Sequence, residues 1–150
     1  MRKLYFKIHD WIFSFFTGQT VGVRVMLVYK DEILLVKHSY RRFWYMPGGR
    51  VDGRESPIIA AKREVYEETN IECPNNLELF GLYYSIQKNH DDYVALYIAS
   101  LNEEAKFKAD GQEIAEIKWY KFDALPEDIS PATKRRINEY FGLTQKSDLW

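Results

Sequence analysis

Cysteine is nearly missing from this chain: Cys73 stands alone among 150 residues. A single thiol excludes an internal disulfide framework and suits a reducing compartment, so a cytoplasmic location is expected. Cys73 itself reads as small apolar filler. Also missing is a run of about 20 apolar residues, the length needed to cross a bilayer. Neither sign of charge dominates: 21 Lys and Arg face 22 Asp and Glu, for a net charge of −1. With no general basic field to hold a long phosphate backbone, no stable nucleic-acid complex is expected. Repeats, low-complexity tracts and linkers are lacking as well. What remains is 46% apolar, an ordinary globular composition with enough chain for one hydrophobic core.

The opening stretch, MRKLYFKIHDWIFSFFTGQT, is basic and then aromatic. Lys7, His9 and Asp10 interrupt it, and TGQT is a poor cleavage site, so a signal peptide is not expected. Leu4, Ile8, Trp11, Ile12, Phe15 and Phe16 recur at helical spacing, which predicts an amphipathic helix over 1–18 ahead of a single domain over 19–150. Such a helix packs on its own domain or on a homodimer mate; Arg2, Lys3 and Lys7 also suit a membrane surface.

Beyond Gly18 the texture becomes strand-like. VGVRVMLVY and EILLVKH are β-rich and flank a KDE turn. SYRRFWYMPGGRVDGRE reads as a loop with special backbone needs, given Pro47, Gly48, Gly49 and Gly53. SPIIAAKREVYEETN reads as a helix, with Ser56 at its cap, Pro57 in the first position and Asn70 suited to the left-handed closing turn. LELFGLYYSIQ, DYVALYIAS and EIAEIKWYKF are expected to be antiparallel neighbours in sequence order, and SPATKRRINEYFG predicts a second helix ending at Gly142. Interspersed strands and helices predict an α/β fold, a sheet covered by helices.

Within REVYEETN, Glu64, Glu67 and Glu68 are related by i, i+3 and i+4, so they share one helical face, while Ile58, Ala61 and Val65 point towards a core. Like charges at these spacings cost about 0.2–0.5 kcal/mol per pair. Solvent screening is one way to offset that. A hard divalent cation is the other, since Mg²⁺ and Mn²⁺ prefer carboxylate oxygens. On this view glutamine at 67 or 68 stabilises the metal-free protein by relieving repulsion.

The surroundings favour the cation. Gly49, five residues, Glu55, seven residues, Arg63-Glu64-Val65, one residue, Glu67-Glu68, one residue, Asn70-Ile71 resembles the Nudix box, G-x5-E-x7-R-E-U-x-E-E-x-G-U with U aliphatic. A chance match somewhere in this chain is on the order of one in a hundred thousand, so composition alone does not explain it. WYMPGGRV and EIAEIKWYKFDALP resemble the family's flanking segments, and the likeness covers roughly residues 20–130. Two positions depart from the pattern. Asn70 replaces a glycine, and Arg54 stands where a glycine often precedes the first box glutamate, which predicts a different bend before Glu55.

The resemblance implies an α/β/α sandwich around a mixed sheet. It also implies Mg²⁺- or Mn²⁺-dependent attack of water on a pyrophosphate phosphorus in a small nucleoside diphosphate derivative. Metal would be held by Glu64, Glu67, Glu68 and the Gly49 carbonyl, with Glu68 the firmest ligand. Glu64 is the best base within the box, Glu67 shares the catalytic face, and Arg63 fixes a neighbouring glutamate's rotamer. Glu55 is a structural carboxylate. Glu113, then Glu116, is the candidate carboxylate from outside the box. Lys37, Arg41 and Arg42 are placed to grip phosphates, and Trp44 and Tyr45 to stack on a base or to fill the core. His38 reads as a strand end and NHDD at 89–92 as a turn. Three other readings stand beside this one: a catalytically silent nucleotide-binding module, action on capped or oxidised nucleic acid, and a membrane-associated hydrolase.

Overall fold

The computed structural model describes residues 19–86, 91–109 and 111–150. The helix expected over 1–18 lies outside them, as do Asn89 and His90. β1 (Gln19–Tyr29) and β2 (Glu32–His38) form a hairpin across Lys30–Asp31, where Lys30 takes φ 55. The two strands pair only through Val28–Ile33 and Tyr29–Glu32, then diverge. β6 (Ile114–Lys121) runs antiparallel along the whole of β2 and takes its other edge.

The gap left between β1 and β2 is filled by residues 44–51. β3 (Trp44–Tyr45), expected to be loop, pairs with Lys37 and Val36 of β2. The chain then crosses to β1. Val25 N–H donates to Pro47 O at 2.9 Å, Val23 N–H to Gly49 O at 2.8 Å, and Val51 N–H to Val21 O at 2.9 Å. This stitching fixes a glycine-bearing segment that would otherwise be free loop.

β4 (Glu78–Ile86) pairs antiparallel with β5 (Asp91–Ser100), and β5 pairs parallel with β1 from Gln19–Asp91 to Val28–Ser100. The expected adjacency of β5 and β6 is therefore corrected: β5 lies between β4 and β1, and β6 lies beyond β2. Burial gives the reason. β5 is buried continuously from Val94 to Ala99, as an interior strand with both faces covered must be. β6 carries exposed Ala115, Glu116, Lys118 and Lys121, which suits an edge.

Alternation sends Val23, Val25 and Leu27 to one face of the sheet, where Ala60, Ala61 and Val65 of α1 (Pro57–Thr69) cover them. Met26 and Val28 face the other way, towards Ile137 of α2 (Pro131–Tyr140). The result is a mixed six-stranded sheet between two helices, the α/β/α sandwich expected. Ile58 departs from expectation and stays 37% exposed, because it lies at the helix start beyond the sheet's cover. No helix among the described residues is long and apolar enough to cross a membrane.

α1 begins after Ser56, whose side chain makes no cap bond, and closes at Asn70, φ 60, whose N–H bonds Tyr66 O at 2.8 Å. The turn before Glu55 forms without a glycine at position 54. Arg54 adopts the left-handed conformation itself, at φ 71. A side chain there costs about 1 kcal/mol. Arg54→Gly is therefore expected to raise stability by up to about 1 kcal/mol, less what glycine loses to chain entropy; an unchanged or lowered urea midpoint would count against strain at this position.

Candidate active site

α1 projects Glu64 and Glu68 from successive turns beneath the segment that bridges β1 and β2. Glu68 is buried and doubly held: Oε2 accepts from Gly48 N–H at 3.0 Å, and Oε1 lies 3.1 Å from His38 Nε2. Glu64 is largely withdrawn from solvent, its side chain 15% exposed. Burial pushes its carboxyl up to about 7, against the Arg63 hydrogen bond and charge that favour ionisation; the charges of Glu68 and Glu67 push the same way as burial.

The two glycines above these carboxylates have separate reasons to be glycine. A Cβ on Gly49 would lie 2.5 Å from a Glu64 carboxylate oxygen. Gly48 takes φ 144, and its Cβ would lie 2.1 Å from Val23 O. Gly48→Ala is expected to cost about 2 kcal/mol or more in a denaturant melt, since neither backbone segment can yield; a loss under about 0.5 kcal/mol would refute the tight fit.

Arg63 organises the outer side. It reaches Glu55 Oε1 at 2.5 Å and Oε2 at 3.2 Å, Glu64 Oε1 at 2.8 Å and Arg50 O at 3.1 Å. Glu55 also accepts from Asp52 N–H at 2.8 Å, and the Arg63 hydrogen bonds hold its carboxyl below the usual range. The loop is thereby pinned to α1 through one guanidinium. Glu67, 45% exposed, has Arg63 at 3.6 Å and faces solvent.

The carbonyls of the two glycines have different partners. Gly49 O accepts from Val23 N–H within the sheet. Gly48 O instead accepts from the Arg24 guanidinium, a partly buried group that feels the charges of Glu68 and Glu64. The Gly48 carbonyl thus faces Arg24, while the Gly48 N–H faces Glu68. Arg24 was not singled out from the sequence, although it is the one charged residue in VGVRVMLVY, and a lone charge in an apolar strand needs a partner.

The remaining candidates divide between the two faces of the sheet. Arg41 lies 5.4 Å from the Tyr45 ring and 5.7 Å from the exposed Tyr40 ring, and both tyrosines pack on His38. Tyr40 Oη donates to Glu113 Oε1 at 2.9 Å, so Glu113 stands at the rim of this side. Lys37 points the other way, paired with Asp128 at 2.7 Å, and Arg42 lies near the same aspartate. Glu116 is opposite Lys37 in the β2–β6 register. Trp44 is 4% exposed and packs edge-on against Tyr120 with ring centroids 5.2 Å apart, in the core against α2. These four are not brought to the glutamates, and Trp44 has no free face for a base. Asp91 and Asp92 of the acidic stretch begin β5 and accept from Tyr84 and Thr20, each at 2.6 Å. Among the described residues, no three His, Cys, Asp or Glu side chains already converge on one point.

The sequence profile described as the NUDIX domain matches residues 18–141, which spans the sheet, both helices and every group just described. The chain belongs to the Nudix family. As a Nudix hydrolase it is of the enzyme class that cleaves pyrophosphate linkages. A Bacillus subtilis (strain 168) protein, assigned provisionally as an 8-oxo-dGTP diphosphatase, is 35% identical over 116 residues, covering 77% of this chain and 75% of that one. Diphosphoinositol polyphosphate phosphohydrolase 2 of Rattus norvegicus is 34% identical over 96 residues, which is 63% of this chain and 52% of its own. Among solved structures, the MutT NUDIX hydrolase of Burkholderia pseudomallei superposes with a TM-score of 0.71 at 24% identity, over 80% of this chain and 96% of that one. The NUDIX domain of Shewanella oneidensis NrtR, complexed with ADP ribose, gives 0.71 at 19% identity, over 86% and 91%. At such identities the structural likeness concerns the Nudix fold.

Proposed function

We propose that this enzyme hydrolyses the pyrophosphate linkage of a small nucleoside diphosphate derivative, using Mg²⁺ or Mn²⁺ held by Glu64, Glu68 and the Gly48 carbonyl. One observation carries the reading: two neighbouring carboxylates withdrawn from water, one of them pushed up to about 7. Burying two anions side by side is costly without a cation. The donors fit one, since two carboxylates and a backbone carbonyl form a hard oxygen set suited to Mg²⁺ or Mn²⁺. When bound, the cation offsets phosphate charge and stabilises the leaving oxygen.

The chain's own groups do the rest. Glu64 takes the proton from the attacking water through the oxygen not committed to the cation; the value of about 7 describes the metal-free carboxyl, which a bound cation lowers. Arg63 holds Glu64 and ties it to the loop. Glu68 is fixed by its contacts with Gly48 N–H and His38 Nε2. Arg24 and Arg41 meet phosphate oxygens. Glu67 adds negative charge at the mouth, and Glu113 at the rim is the outside carboxylate. Tyr40 and Tyr45, rather than Trp44, offer ring faces to a base.

The test is a product analysis over a substrate panel: oxidised and ordinary deoxynucleoside triphosphates, ADP-ribose, a diadenosine polyphosphate and a diphosphoinositol polyphosphate, each with Mg²⁺, Mn²⁺ or chelator. Cation-dependent cleavage of at least one nucleotide is expected, with water's oxygen on a phosphate product. Tight nucleotide binding with no cleavage of any member would instead establish the silent binding module.

A further inference from the structure

We propose that His38 is the positioning residue for Glu68: its Nε2–H holds the carboxylate in the orientation that receives the cation. This rests on the cation site proposed above. His38 ends β2, where the strand's register with β6 shifts: Lys37 faces Glu116, but His38 faces Ile114. The extra residue, Ala115, makes a bulge. The bulge lies in β6, and within β2 ordinary alternation sends successive side chains to opposite faces. Here Lys37 goes to Asp128 on one face while His38, 5% exposed, turns onto Glu68 at 3.1 Å.

The rest of the ring's surroundings is chemically quiet. Tyr40 and Tyr45 pack against it at 5.4 Å and 5.9 Å between centroids. Nδ1 is buried and finds no hydrogen-bond partner among the described residues. A neutral imidazole has a single N–H. With a carboxylate oxygen at Nε2 and nothing at Nδ1, that hydrogen belongs on Nε2. His38 and the Gly48 N–H then each occupy one lone pair on a different Glu68 oxygen. The rotamer is fixed from two separate segments, and lone pairs remain for a cation. Partners that orient a ligand in this way typically change metal affinity by about 10- to 100-fold when removed.

The experiment measures Mn²⁺ uptake by electron paramagnetic resonance, beside thermal melts and steady-state kinetics, for wild type, His38→Met and His38→Gln. His38→Met, of similar bulk but with no donor, is expected to bind Mn²⁺ about 10- to 100-fold more weakly, and kcat to fall with little change in KM for nucleotide. His38→Gln, which restores an N–H donor, is expected to recover most of the loss. Equal Mn²⁺ affinity in folded His38→Met overturns the proposal, and so does a glutamine variant no better than methionine. Nitrogen-resolved NMR of the wild-type ring decides the matter even if a variant fails to fold. The Nε2-protonated tautomer, moving on addition of Mg²⁺, is expected; an Nδ1-protonated ring refutes the role. Wild-type protein that takes up no Mn²⁺ refutes the cation site itself, a distinct outcome from failure of His38 alone.

Discussion

Glu68→Gln is expected to lose about a thousandfold in turnover while its melting temperature moves by only a few degrees. The carboxylate sits between the Gly48 N–H and His38 Nε2. A glutamine oxygen still accepts from Gly48, and its amide meets a ring that can present a lone pair by changing tautomer. The local hydrogen bonds survive, but the negative charge does not. Losing an anionic oxygen that anchors a catalytic cation removes several kcal/mol of transition-state stabilisation, and 4 kcal/mol is about a thousandfold. Steady-state kinetics over a range of Mg²⁺ concentrations checks this. Undiminished turnover in the variant would remove Glu68 from the site.

The second large effect belongs to Glu64. As the base, its replacement by glutamine is expected to cost about 10²- to 10⁴-fold in turnover. In chelator, the same substitution is expected to stabilise the fold, with a defined pH dependence. Burial raises the Glu64 carboxyl from 4.5 in the unfolded chain to about 7. The folded state therefore holds the proton more tightly, and the associated stability is fully present below the unfolded value. It is lost as pH rises through about 7. The loss is on the order of 2–3 kcal/mol by pH 8, or roughly 5–10 °C for a chain of this size. Glu64→Gln removes it, so the variant should melt higher than wild type at pH 8 and nearly together with it at pH 5. Calorimetry showing the variant less stable at pH 8 would mean that the Arg63 pair outweighs burial. The earlier expectation placed this relief at Glu67 or Glu68. A larger effect is expected at Glu64, because Glu67 is 45% exposed and Glu68 has two hydrogen-bond contacts, whereas Glu64 is largely withdrawn from solvent with one.

The box on α1 could be read directly because its chemistry is local. A helix converts spacing into a shared face: Glu64 and Glu68 lie one turn apart and Arg63 pairs with Glu64, whereas Glu67, expected on the same face, is 45% exposed and Glu55 reaches Arg63 from the preceding loop. Asn70 closes the helix for the reason anticipated. What escaped the sequence depends on strands meeting across long intervals. Gln19 pairs with Asp91, and nothing near either residue announces it. The divergence of β1 from β2 turns the expected loop into a bridge and pairs the Gly49 carbonyl with Val23 and the Gly48 carbonyl with Arg24. Strand alternation then sorts the basic and aromatic cluster. Lys37 and Trp44 fall on the face turned to α2, His38 and Tyr45 on the face turned to Glu68. A one-residue shift would have reversed that sorting, which is why composition near the loop could not decide it. Arg24 was the one legible signal passed over, a charge within an otherwise apolar strand.

The central claim is that Glu64, Glu68 and the Gly48 carbonyl enclose a divalent cation. Anomalous diffraction from crystals soaked in Mn²⁺ locates that ion without reference to any substrate. A peak within coordinating distance of both carboxylates and the Gly48 oxygen, with Arg24 moved off that oxygen, is the predicted result. Full occupancy of Mn²⁺ elsewhere, with this position empty and Arg24 still on Gly48, would contradict it.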